Sequence, residues 1–215
     1  MILLFFFWFF HLSVNYIWLK WDNYPLLWDA GTYYYESLVL HDLLKNLSLS
    51  SFNSAIRVGA QYPPIISFIL SIFYFISGKS EDVAVFISNS VYLGILIFSI
   101  YGISKNVFNK KTGILSAFFI TMYPLIFGHS RILMLDLPAT SFVCLSIYLF
   151  QKTQGFRSRF FSLLFGASLG LGLLTKFSIL LFVMACLSFY LILNFINLIR
   201  CIKKEEFSFY FKQYL

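Results

Sequence analysis

"PPIISFILSIFYFIS", residues 63–77, is apolar enough to enter a bilayer and too short to cross one. Ile65 to Ile76 offers twelve residues, against the roughly 20 that a spanning helix needs. Two prolines open the segment, a favourable helix start because the first-turn amides need no intrahelical partner. Ser67, Ser71 and Tyr74 recur at i, i+4 and i+7 and form one polar stripe on a helix. The segment reads as a helix lying in the membrane interface. That reading sets the topology of everything after it.

The rest of the chain reads as an integral membrane protein. Of its 215 residues 60% are hydrophobic and 12% charged, about half the roughly 25% charge of a soluble domain. With 64–77 kept in the interface, six spans remain: 2–19, 83–104, 113–128, 137–150, 161–175 and 177–199, the last two divided at Lys176. The cytoplasmic side then carries ten Lys/Arg and two acids, net +8; the outer side carries six Lys/Arg and seven acids, net −1. This is the charge asymmetry that orients spans, with the N-terminus cytoplasmic. If 64–77 crossed instead, the basic loops 105–111 and 151–160 would not both stay inside. Asp29 and Asp136 would also fall on opposite faces. The expected fold is an all-α, multi-span helical bundle. Residues 20–82 form its first outer loop, with two interfacial helices.

Other classes find little support. The net charge of +7 sits in short loops between spans, so it does not point to nucleic acid. The first span lacks a basic start and a small-residue cleavage site, and reads as a retained anchor. Cys144 and Cys186 lie in apolar segments and Cys201 in a basic loop, so no disulfide framework is visible. "GASLGLG" (166–172) places Gly166 and Gly170 at GxxxG spacing, which reads as close helix packing.

"SRILMLDLP" (130–138) places Arg131 and Asp136 at the membrane boundary, where ionisable residues are costly and mark function by default. The six-span topology gathers Asp29, Glu36, His129, Arg131, Asp136 and Lys176 on one outer surface. Plainer roles exist for each. Asp29 suits the N-cap of a helix over 26–46, with Tyr34, Leu38 and Leu44 among its apolar positions. Asp136 suits a cap with Pro138 in the first turn. Arg131 and Lys176 suit snorkelling to headgroups. His129 reads as an ordinary loop histidine and Glu36 as a solvated helix residue.

The order of these motifs carries more than each alone. Asp29 opens a "D…YY" helix, "YPP" (62–64) starts the short apolar helix, and "YPLIFGHSRILMLDLP" (123–138) precedes "GLGLLTK" (170–176). Over roughly residues 16–180 this order resembles the GT-C glycosyltransferases, in the branch of protein O-mannosyltransferases and bacterial aminoarabinose-type transferases. The resemblance implies transfer of a sugar from a polyprenyl-phosphate donor to an acceptor hydroxyl, with inversion, on the outer face of the cell membrane. It makes Asp29 the catalytic base and places Asp136 in the same cavity. Arg131, Lys176, His129 and Tyr33 become the substrate-binding set. Ala30 stands where the family often has Glu, and Thr32 where it often has a basic residue. Family members are longer, so this chain is expected to be the N-terminal part of such a module. No cofactor is expected; a divalent metal is compatible with the chemistry but not indicated. The implied partners are the lipid-linked donor, a protein, lipid or glycan acceptor, and the bilayer. The competing expectations are a transporter subunit and an inactive, truncated or non-enzymatic membrane protein.

Overall fold

The computed structural model describes residues 1–46 and 63–213. Tyr62 of the "YPP" motif lies outside them. Every regular element among the described residues is helical. The chain forms two compact units, 1–179 and 180–215. The first holds α1 (Ile2–Trp21), α2 (Trp28–Lys45), α3 (Ile65–Ser77), α4 (Glu81–Val107), α5 (Lys110–Met122), α6 (Pro124–His129), α7 (Asp136–Lys152) and α8 (Arg159–Leu173). The second consists of the helix α9, which begins at the junction (Ile179–Gln213).

Among the described residues two helices are long and apolar enough to cross a membrane: α1 with 20 residues and α4 with 27. Helices α3 and α8, and the stretch Ile179–Leu193, are shorter apolar helices. The segment expected as one span over 113–128 is broken into α5 and α6. Tyr123, at φ −62° and ψ 125°, is the break. The Pro124 ring pushes its predecessor out of the helical region.

Helix α4 is central and packs against α1, α5 and α7. Helix α1 runs antiparallel to it: Phe5 meets Phe98, Trp8 Nε1 donates to Ser90 O at 2.8 Å, and Tyr16 meets Phe86. Helix α7 runs in the same direction as α4. Ser141 Oγ donates to Tyr92 O at 2.7 Å near their starts, and Asn106 Nδ2 to Gln151 Oε1 at 3.1 Å near their ends. Helix α8 returns, with Ser146 and Ser168 hydroxyls 2.9 Å apart and Phe150 against Phe165. The end of α1, the starts of α4 and α7, and the end of α8 therefore share one end of the bundle.

Close approach between these helices depends on glycines other than the expected pair. Gly102 lies under the Tyr148 ring, where a Cβ would overlap it, and Gly172 faces Phe142 and Ile179. Gly166 and Gly170 have nothing within 4 Å of a Cβ position. The GxxxG expectation therefore fails among the described residues. Spacing shows which residues share a face but not whether a helix lies against it.

Polarity is turned inward, as a lipid environment favours. Helix α1 buries Leu4, His11, Asn15 and Leu19 while exposing Phe5, Phe6, Phe9 and Ile17. Helices α2 and α3 pair the same way. Ser67 Oγ donates to Glu36 Oε2 at 3.2 Å and to Tyr33 O at 3.3 Å; Ser37 and Tyr74 hydroxyls lie 2.9 Å apart; His41 Nδ1 donates to Ser71 O at 2.8 Å. The stripe Ser67–Ser71–Tyr74 thus faces α2, while Phe68, Ile72, Phe75 and Ile76 are exposed. Glu36 is 9% exposed, which corrects its reading as a solvated residue. The buried face of α2 is Ala30, Tyr33, Ser37, Leu40 and His41, displaced from the expected Tyr34, Leu38 and Leu44.

Candidate active site

The segment 130–135 between α6 and α7 is clasped by two asparagines. Asn15 of α1 donates through Nδ2 to Ser130 O at 3.0 Å and to Ser130 Oγ at 3.2 Å. Asn89 of α4 donates to Ile132 O at 2.9 Å and to His129 O at 3.4 Å. Both asparagines are buried. Neither was singled out from the sequence. The available signal was an amide inside an apolar span, which needs a partner there.

Arg131 is fixed by α1 and α6. Its Nε donates to Asn15 Oδ1 at 3.4 Å, and its guanidinium carbon lies 4.0 Å from the Phe127 ring centre and 4.9 Å from that of Trp18. Partial burial holds its pKa below the usual arginine value. The terminal guanidinium nitrogens make no hydrogen bond among the described residues. An arginine stacked on rings and tethered at Nε keeps the other edge of its planar fork free to pair, which suits a phosphate.

Asp136 is the first residue of α7, after an N-cap at Leu135, and makes no side-chain capping bond. The capping role is therefore not the one it plays. Oδ1 accepts from Lys176 Nζ at 2.8 Å, and Oδ2 lies 3.9 Å from His129 Nδ1. That His129 nitrogen is buried and makes no hydrogen bond among the described residues. His129 ends α6 and faces the carboxylate, which corrects its reading as a plain loop residue. Lys176 comes from the turn after α8, where buried Thr175 donates to Leu171 O at 3.1 Å.

Asp29 lies exposed in the first turn of α2. The N-cap there is Leu27, with no side-chain capping bond, so the expected cap is not formed. The chain before α2 folds back on its first turn: a Cβ on Gly31 would sit 2.7 Å from Leu26 O, so only glycine fits. Trp28, just before Asp29, has φ 55°, a left-handed conformation costly for a bulky residue and typical of functional segments. Leu26 N donates to Glu81 Oε2 at 2.9 Å, which ties this segment to the start of α4. Ile65 N donates to Leu174 O at 3.4 Å, which ties α3 to the Lys176 turn. The α2–α3 pair therefore hangs at the same end of the bundle as Arg131, Asp136, His129 and Lys176. Glu81 is a positioning residue that the sequence reading passed over.

The structure joins Asp136, Lys176 and His129 directly. It packs Arg131 against Asn15 and Trp18 of α1 with no bond to Asp136, and places Asp29 and Tyr33 on α2. Among the described residues no group of three His, Cys, Asp or Glu side chains is placed to hold a metal ion.

Residues 61–208 match the family of dolichyl-phosphate-mannose-protein mannosyltransferases. The chain belongs to that family. Arg131, Asp136, His129 and Lys176 lie inside the matched stretch of the mannosyltransferase family; Asp29, Tyr33 and Glu36 precede it. No curated protein and no solved structure matches the chain.

Proposed function

We propose that the protein is a membrane glycosyltransferase that moves a sugar from a polyprenyl-phosphate donor to an acceptor hydroxyl, with inversion. The reading places six spans in the bilayer and the reacting end of the bundle outside. The observation that carries it is the pair of cations at one end of the helical bundle of a mannosyltransferase-family chain. Arg131 is held by Asn15, Phe127 and Trp18, and Lys176 by Asp136. Lys176 and Arg131 hold the donor phosphate, and Asp136 with His129 orients Lys176. Asp29 takes the proton from the acceptor hydroxyl. The acceptor oxygen bonds to the anomeric carbon as the carbon–oxygen bond to phosphate breaks. Its electron pair leaves with polyprenyl phosphate, an anion that the two cations stabilise.

Affinity of the reconstituted chain for polyprenyl phosphate tests this. Arg131→Ala is expected to weaken binding about 10- to 100-fold, since a charge-assisted bond contributes about 1.5–3 kcal/mol. Arg131→Lys should restore part of the loss, because an ammonium lacks the fork. Equal affinity across the three proteins would leave Arg131 a boundary anchor and overturn the assignment.

A further inference from the structure

A second candidate site lies at the opposite end of the bundle. There α4 and α7 end side by side, and between them opens a groove of about 470 Å³. Toward the middle of the bundle its lining is apolar, with Ile95, Phe98 and Leu145, and Met1 at the start of α1 also lines it. At its mouth stand two lysines, each over a tyrosine of its own helix: Lys105 Nζ is 5.7 Å from the Tyr101 ring centre, and Lys152 Nζ is 5.7 Å from that of Tyr148. A second hollow of about 420 Å³ continues from it, shares Lys152 and Asn106, and is walled by the amides of Gln151 and Gln154. The gradient runs from aliphatic and aromatic, through cationic, to amide.

No carboxylate lines either hollow, and neither lysine has an acidic partner among the described residues. Two neighbouring ammonium groups without a counter-charge attract an anion. An apolar lining beside them calls for that anion to carry a tail. Lysine acts here as a compact point charge, which also binds phosphate. Gly102 allows the groove, because only a residue without Cβ lets Tyr148 lie flat on α4 beside Lys152.

We propose that this groove binds an anionic glycerophospholipid, with its phosphate between Lys105 and Lys152 and an acyl chain along Ile95, Phe98 and Leu145. The site is separate from the donor site, which is at the other end of the bundle. It rests only on that end lying at a membrane boundary.

The test is titration of tail-labelled phosphatidylglycerol against the full chain in phosphatidylcholine nanodiscs. The K105Q/K152Q pair should weaken binding about 10- to 100-fold, roughly tenfold for each charge-assisted contact. K110Q/K111Q removes the same charge just outside the groove and should leave affinity unchanged. L145W fills the apolar part of the groove and should weaken binding while the circular dichroism spectrum stays helical. Equal losses from the two lysine pairs would reduce the effect to surface charge. Competition by inorganic phosphate as effective as that by phosphatidylglycerol would remove the tail from the proposal. Equal binding of tail-labelled phosphatidylcholine would remove the anion, and preferential binding of polyprenyl phosphate would assign the groove to a different lipid. Each of these results overturns it.

Discussion

Lys176 Nζ lies 2.8 Å from Asp136 Oδ1, although forty residues separate them in sequence. The contact closes the start of α7 onto the turn that follows α8. Both side chains remain partly exposed, at 38% and 50%. Such a pair contributes little to folding, about 0–1 kcal/mol.

Lys176→Ala should therefore separate stability from binding. The melting temperature should barely change, while affinity for polyprenyl phosphate falls about tenfold with the loss of one charge-assisted contact. A large drop in melting temperature with unchanged affinity would make the pair a structural strut.

Asp29→Asn keeps the size of the side chain and removes its basicity. Transfer by the active enzyme should fall about 10²–10⁴-fold, the range for a general base. Donor affinity and melting temperature should stay at wild-type values, because Asp29 is exposed and caps nothing. Near-normal turnover would remove Asp29 from the mechanism.

Asn15→Leu tests the clasp on residues 130–135. It strips partners from Ser130 and from Arg131 Nε inside the bundle. The expected destabilisation is about 1–3 kcal/mol, the penalty for buried groups left unsatisfied. Denaturant unfolding in micelles would measure it. Adding Arg131→Ala to this background should cost less than the sum of the two single changes, because they share one contact.

Glu36 gives a pH signature. Burial raises its carboxyl pKa above the ordinary 4.5, and the Ser67 hydroxyl offsets only part of that. The folded state then holds the proton more tightly than the unfolded state. Stability from this group is complete below pH 4.5 and declines as pH rises through the folded pKa. Glu36→Gln should be more stable than wild type at neutral pH, with the difference vanishing below 4.5. A difference that persists unchanged at pH 4 would assign the effect to packing.

Two glycines two residues apart should respond oppositely. Gly170→Ala meets nothing and should stabilise α8 by up to about 1 kcal/mol through helix propensity. Gly172→Leu must displace Phe142 and Ile179, an overpacking cost of about 1–3 kcal/mol. Thermal melts of the two variants check both signs.

The helical fold and the gathering of Arg131, Asp136, His129 and Lys176 at one end were legible in the sequence, because hydropathy and loop charge report which end of a helix a residue occupies. What each helix touches was not. The stripe Ser67–Ser71–Tyr74 was visible, but its direction was not, since in lipid the polar face is the one that packs. Glu36 misled for the same reason: a helical glutamate looks solvated until a serine-bearing neighbour is placed against it. The break at Tyr123–Pro124 was present as a proline, yet the hydropathy of 113–128 runs through it unbroken. The clasping roles of Asn15 and Asn89 depend on partners 115 and 43 residues away, and one sequence shows no such pairing.

That distance also has a temporal side. Helix α1 emerges from the ribosome before the helices it packs against, with the amide of Asn15 and both ring nitrogens of His11 on the face it later buries. The acceptors for Asn15 are 115 residues downstream. At roughly 5–20 residues per second, on the order of ten seconds pass before Ser130 is made. Through that interval the first helix is a half-finished surface, polar where lipid would touch it. The membrane must receive it beside something able to satisfy an amide and an imidazole, be it water in the insertion channel or another helix, until the segment after α6 arrives.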